Sequence, residues 1–157
     1  EHVEEPDLFL KEINSRLKRY GQVILSFPNS GSIFRMIFGK KWINWHIPYH
    51  INHFNRTNFN RLANKCGFKI IKSSTITPNL WTIIQLRALM DDVKMGSKSA
   101  TWSTSKNVGK MDNKNFLRNR LFLTISRILF YLLIPVNRLI DRLGYGDSLL
   151  VFLEKDG

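Results

Sequence analysis

The side chains best suited to chemistry gather between residues 42 and 53, where Trp42, Trp45, His46, Tyr49, His50 and His53 follow one another. Histidine titrates close to neutrality, so it takes up and releases protons at working pH. His50 and His53 stand three residues apart and would share one face of a local helical turn. They are the candidate catalytic bases, set against a reading in which they are packed or solvated, or in which His53 only orients a helix start. Adding His46 gives a His-x3-His-x2-His spacing, but no further ligand accompanies it, so no metal is expected. Trp42, Trp45, His46 and Tyr49 are the candidate acceptor-binding group, because such rings stack on aromatic or sugar surfaces. The same rings would serve equally well as a satellite core under a long loop.

These residues need a scaffold, and 157 residues suffice for one domain with a single core. Hydrophobic residues at 43% and charged residues at 23% are an ordinary globular balance. The single cysteine, Cys66, excludes a disulfide framework and a thiolate zinc site, and fits a reducing, cytoplasmic compartment. A net charge of +12 fits nucleic acid, an anionic membrane surface, or simply a lysine- and asparagine-rich coding bias. The basic residues are spread along the chain rather than gathered in one run, which weakens the nucleic-acid reading. No nucleophile elbow or carboxylate pair supports a hydrolase.

Pro6-Asp7 reads as a helix start with Asp7 as cap, and Leu10, Ile13 and Leu17 share one face up to a stop at Gly21. Val23-Ile24-Leu25 then reads as a strand buried on both faces. Ser26 to Gly31 is a turn at its C-terminal end, where open α/β sheets bind ligands. Asn55 caps a second helix with Phe59, Leu62, Ala63 and Cys66 on its apolar face, stopped by Gly67; Phe68 to Lys72 is a further strand. Residues 94–115 are polar and aperiodic and read as a linker. Residues 116–143 are apolar and helical, with Pro135 interrupting the end. After the turn Gly144 to Asp147, the run Leu149 to Leu153 is a last buried strand.

In this order the elements resemble the class I S-adenosylmethionine-dependent methyltransferases, especially the branch with quinone-biosynthesis and sugar-modifying enzymes. Glu1-His2-Val3-Glu4-Glu5-Pro6 resembles the family's Leu-Glu-His-Val-x-x-Pro segment, and Gly21 to Asn29 its strand-five segment ending in Ser-x-Pro-Asn. Pro48 to Phe54 is similar to its Pro-x-His-x-x-His-Phe stretch, and Leu62 to Phe68 to the Leu-x-x-x-Gly-Phe before strand six. The resemblance covers residues 1–77 and 144–155. It implies S-adenosylmethionine as cofactor, with Glu1, His2, Phe27, Pro28 and Asn29 lining its pocket and His50 or His53 removing the acceptor proton. In the quinone-methylating relatives the matching Glu-His pair is implicated in holding a divalent metal; two such groups alone do not define a site.

The glycine-rich turn and the ribose-binding acid of the family are absent from the 157 residues. The chain is therefore expected to be the C-terminal half of the enzyme and inactive alone. The fold expected is α/β, the C-terminal portion of a Rossmann-like sheet whose last strand runs antiparallel to its neighbours. Residues 1–93 would form the half-core, 94–115 a loop, 116–143 an apolar helical insertion and 144–157 the closing strand. From Leu121 to Val136 the only charge is Arg127, and these sixteen residues fall short of the roughly 20 that span a bilayer. Lys114, Arg118, Arg120, Arg138 and Arg142 flank the run, as in a helix lying on an anionic inner-membrane face. A helix covering the core is the alternative. The acceptor is expected to be a small molecule, lipid or lipid-linked glycan. The rivals are a non-catalytic partner- or membrane-binding module and an RNA methyltransferase.

Overall fold

A computed structural model describes residues 1–90 and 113–156, a mixed α/β arrangement. In chain order it contains α1 (Pro6–Arg16), β1 (Gln22–Pro28), α2 (Ile33–Phe38), α3 (Arg56–Lys65), β2 (Phe68–Ile76), α4 (Asn79–Met90), α5 (Asn113–Arg142) and β3 (Ser148–Lys155). Short 3-10 turns at Gly39–Lys41 and Ile43–Trp45 follow α2. The described strands form one sheet in the order β1-β3-β2. Both β1 and β2 pair antiparallel with β3, so they run the same way and the last strand lies reversed between them. This is the direction expected for that strand.

Side chains alternate across a strand, so β3 presents Leu149, Val151 and Leu153 to one face. All three are at most 1% exposed. They form the core with Phe27 of β1, Phe68 of β2, Leu10 of α1, and Phe59 and Ala63 of α3. Each of these leucine, valine and phenylalanine side chains contributes about 1.5–3 kcal/mol by leaving water. The other face is more open: Ile24 is 58% exposed, and Phe152 beside it is only half-buried. Val23 to Leu25 is thus not buried on both faces, because α1 and α3 both pack on the Leu149–Leu153 side.

The helix starting after Asn55 carries a full capping box, in which the Asn55 and Asn58 side chains each bond the other's backbone N–H. Gly67 then takes φ +78°, the left-handed stop read from sequence. At α1 two details differ. Pro6 fixes the first helical φ, so Glu5 is the N-cap and Asp7 lies inside the first turn, 3.7 Å from Lys11. The helix ends at Arg16, and Tyr20 rather than Gly21 carries the left-handed φ of 60°. Gly21 is needed for closeness instead, since a Cβ there would meet the Lys18 carbonyl oxygen at 2.8 Å.

Helix α5 continues through Pro135, which removes only the bond to the Tyr131 carbonyl and does not end the helix. Its inward side is polar. Asn137, wholly buried, donates to Asn79 Oδ1 at 2.7 Å and Thr82 Oγ1 at 3.1 Å on α4. Arg138 donates to the Thr77 carbonyl at 2.8 Å, and Thr77 Oγ1 donates to Asp141 Oδ1 at 2.7 Å. The expected linker at 94–115 lies outside the described residues up to residue 112, and residues 113–115 belong to α5. Among the described residues no helix is long and apolar enough to cross a membrane.

Candidate active site

The chain start is stitched to the aromatic loop by backbone hydrogen bonds. The Glu1 carbonyl accepts from Ile51 N at 2.9 Å and Asn52 N at 3.2 Å, and His2 Nδ1 donates to the Tyr49 carbonyl at 2.8 Å. This brings Glu1 and His2 to His50, forty-eight residues beyond His2 in sequence: one ligand-type atom from each of the three lies within 4.8 Å of the others. The His2 and His50 ring centroids are 4.7 Å apart, and those of His46 and His50 4.8 Å.

The three residues and His46 line a cavity of about 450 Å³. Ser26, Phe27 and Pro28 form one wall at the C-terminal end of β1; Ile43, Ile76, Pro78 and Trp81 form an apolar wall. A second cavity of about 230 Å³ shares Glu1, His2, Ser26 and Phe27 and runs between Phe9, Phe54 and Phe59. The arrangement has the usual form of a small-molecule site, apolar walls with a few convergent polar groups.

Burial is the main cause that lowers the His50 pKa below its ordinary 6.5. Neighbouring His46 and His2 act in the same direction, while the Asn44 hydrogen bond and Glu1 oppose them. His46 is lowered too, first by burial and then by His2. His50 is therefore neutral at neutral pH. Its Nδ1 lies 2.8 Å from the Asn44 carbonyl, which only accepts, so the ring proton sits on Nδ1 and the basic lone pair on Nε2. Glu1, His2 and His50 offer one oxygen and two nitrogens, a set of the type that transition metals accept, but short of the four ligands of a closed site.

The remaining sequence candidates fall elsewhere. His53 Nε2 donates to the Trp45 carbonyl at 3.2 Å, and His53 does not line either cavity. Trp42 is 2% exposed and belongs to the interior, so it has no face to stack on an acceptor. Trp45 donates to the Gly39 carbonyl and packs edge-on against His53; Tyr49 is 62% exposed. Neither lines the cavities. Asn29, 3% exposed, holds the turn: its Nδ2 donates to the Gly146 carbonyl at 2.8 Å and its Oδ1 accepts from Gly31 N at 2.9 Å.

Sequence reading missed Trp81 of α4 as the aromatic wall, because the dense apolar stretch from Leu80 to Leu86 carries no helical stripe to orient it. It also missed Asp147. This carboxylate, 5% exposed, accepts from Trp42 Nε1 at 2.8 Å, Ser32 Oγ at 3.0 Å and Asn44 Nδ2 at 2.7 Å. Burial raises its pKa above the ordinary 3.8, against the pull of those donors. The available signal was an acid between a glycine turn and an apolar strand. No protein-family model matches the chain, and no curated protein matches it.

Proposed function

We propose that the chain is the acceptor-side half of an S-adenosylmethionine-dependent methyltransferase, with His50 as the base that takes the acceptor proton. One observation carries this reading. Glu1-His2, the Ser26-Phe27-Pro28 end of β1 and the His50 loop, which the resemblance assigns to cofactor and acceptor, converge on one cavity. The reversed last strand between two mutually parallel neighbours agrees with the resemblance. S-adenosylmethionine would supply the electrophilic methyl group. Glu1, His2, Phe27 and Pro28 would flank it. His50 Nε2 would accept the proton that the acceptor loses, so catalysis would be chiefly positioning plus one base. The apolar wall of Ile43, Ile76 and Trp81 suits an acceptor with an aromatic or aliphatic body. Titration of S-adenosylmethionine into protein from the complete reading frame, with this chain alongside, tests the reading.

The place of action is an anionic membrane surface, met peripherally through α5. This rests on the outward apolar stripe Ile125, Ile128, Leu132, Val136 and Leu139, each at least 45% exposed, beside the exposed Arg142. The acceptor would then be a lipid or lipid-linked compound.

A further inference from the structure

We propose that Asp147 is a positioning residue for His50 and acts through Asn44. The connection consists of two hydrogen bonds in series. Asp147 Oδ2 accepts from Asn44 Nδ2 at 2.7 Å, and the main-chain oxygen of Asn44 accepts from His50 Nδ1 at 2.8 Å. The first bond fixes where Asn44 sits. The second fixes which nitrogen of His50 carries the proton and which way Nε2 points. The inference rests on His50 as the proton acceptor, but it concerns the imidazole itself and can be read without cofactor or acceptor.

Three features make Asp147 an anchor rather than one contact among many. Its main chain is held on both sides, with Asp147 N donating to Thr77 Oγ1 at 3.0 Å and its carbonyl accepting from Asn29 N at 2.8 Å. Its Oδ1 takes Trp42 Nε1 and Ser32 Oγ, both nearly inaccessible to water, so one carboxylate ties the α2 cap, the tryptophan turn and the Ile43–Trp45 turn to the start of β3. Finally, Asn44 is itself 7% exposed, so water has little access to replace the bond it would lose. Hydrogen bonds to a carboxylate are about twice as strong as neutral ones, which makes this group the firmest local reference for the loop. The loop carries His46 and His50 into the cavity, so its seat sets their geometry.

The test is nitrogen NMR of the ¹⁵N-labelled chain at alkaline pH, where the neutral imidazole tautomer is read directly. The His50→Gln variant assigns the signal. The native protein is expected to hold His50 as the Nδ1–H tautomer. Asn44→Ala and Asp147→Ala are expected to lower the ratio of Nδ1–H to Nε2–H by roughly fivefold to tenfold, the loss of about one hydrogen bond. His2, whose Nδ1 is held by the Tyr49 carbonyl, is expected to keep its tautomer in both variants. Asn44→Ala leaves the Trp42 and Ser32 donors on the carboxylate, so it decides the matter if Asp147→Ala does not fold. A folded Asn44→Ala protein with His50 unchanged, or a native His50 that is not Nδ1–H, overturns the proposal. A native His50 that is not Nδ1–H would also remove Nε2 as the proton acceptor, whereas methyl transfer itself is tested separately by S-adenosylmethionine binding.

Discussion

Asn137 and Leu139 stand two residues apart on α5, yet the asparagine is wholly buried and the leucine is 59% exposed. The helix is packed with a polar side inward, hydrogen-bonded to Asn79, Thr82, Thr77 and Thr75, and an apolar side outward. From Ile125 to Leu139 the outward stripe extends about 21 Å. The membrane proposal rests on this exposed surface. The protein is expected to sediment with anionic vesicles more than with neutral ones. Arg142→Gln should weaken that binding by about fivefold, the effect of one basic residue near the lipid surface. Equal partitioning into both vesicle types contradicts the membrane assignment.

Among the described glycines, Gly146, at the junction of α5 and β3, is the most closely enclosed. A Cβ there would lie 2.9 Å from both Cβ and Oγ1 of Thr75 and closer still to Asp141 Oδ1. Gly146→Ala should therefore cost about 2–3 kcal/mol of stability, read as a lower urea midpoint. An unchanged midpoint would mean the junction between α5 and β3 yields far more easily than its packing implies.

The raised pKa of Asp147 fixes the sign of a pH effect. An acid that holds its proton more firmly when folded makes the folded state bind more protons between its ordinary pKa of 3.8 and the raised value. Its contribution to stability then falls as pH rises through that window and is regained as pH falls. Compared with Asp147→Asn, which does not titrate, the native protein should gain relative stability on acidification across the window. Denaturant curves of both proteins at several pH values check this; a relative loss on acidification reverses the sign and contradicts the burial argument.

His50 works in the opposite direction. Its lowered pKa means that the unfolded chain binds the proton first, so stability is lost as pH falls below 6.5 through the folded value. The same shift keeps the base deprotonated at neutral pH. With an acceptor in hand, the acid limb of the rate profile should lie below 6.5, and His50→Gln should reduce turnover by about 10²–10⁴-fold. His53→Gln should chiefly affect stability, because His53 is bonded to the Trp45 carbonyl away from the cavity. A comparable loss of turnover from His53→Gln alone would exchange their roles.

Elements with a local chemical signature were legible in the sequence. Asn55 and Gly67 bracket α3 as read, and the apolar run Leu149 to Leu153, read as a last buried strand, is the central strand of the sheet. Elements made by tertiary packing were not. Helix α2 rests on a Ser32 cap followed by six mostly apolar residues, too short and too uniform to show a period. Helix α4 has the same difficulty, and Trp81 was missed with it. Of the side chains singled out in the loop, His46 and His50 line the cavity, and Trp42, Trp45, Tyr49 and His53 do not. Whether Trp42 faces a ligand or the interior depends on Asp147, a hundred and five residues away, and no local pattern reports that. The pairing of Glu1-His2 with His50 likewise depends on backbone bonds across the loop.

The central claim is methyl transfer at the cavity shared by Glu1, His2, Phe27 and His50. Its most direct test is calorimetric titration of S-adenosylmethionine into protein made from the complete reading frame, with the native sequence compared to His2→Ala. Saturable one-to-one binding, weakened in the variant, is the predicted result. No binding by the complete protein would contradict the methyltransferase reading and leave a membrane-binding module built on α5 in its place.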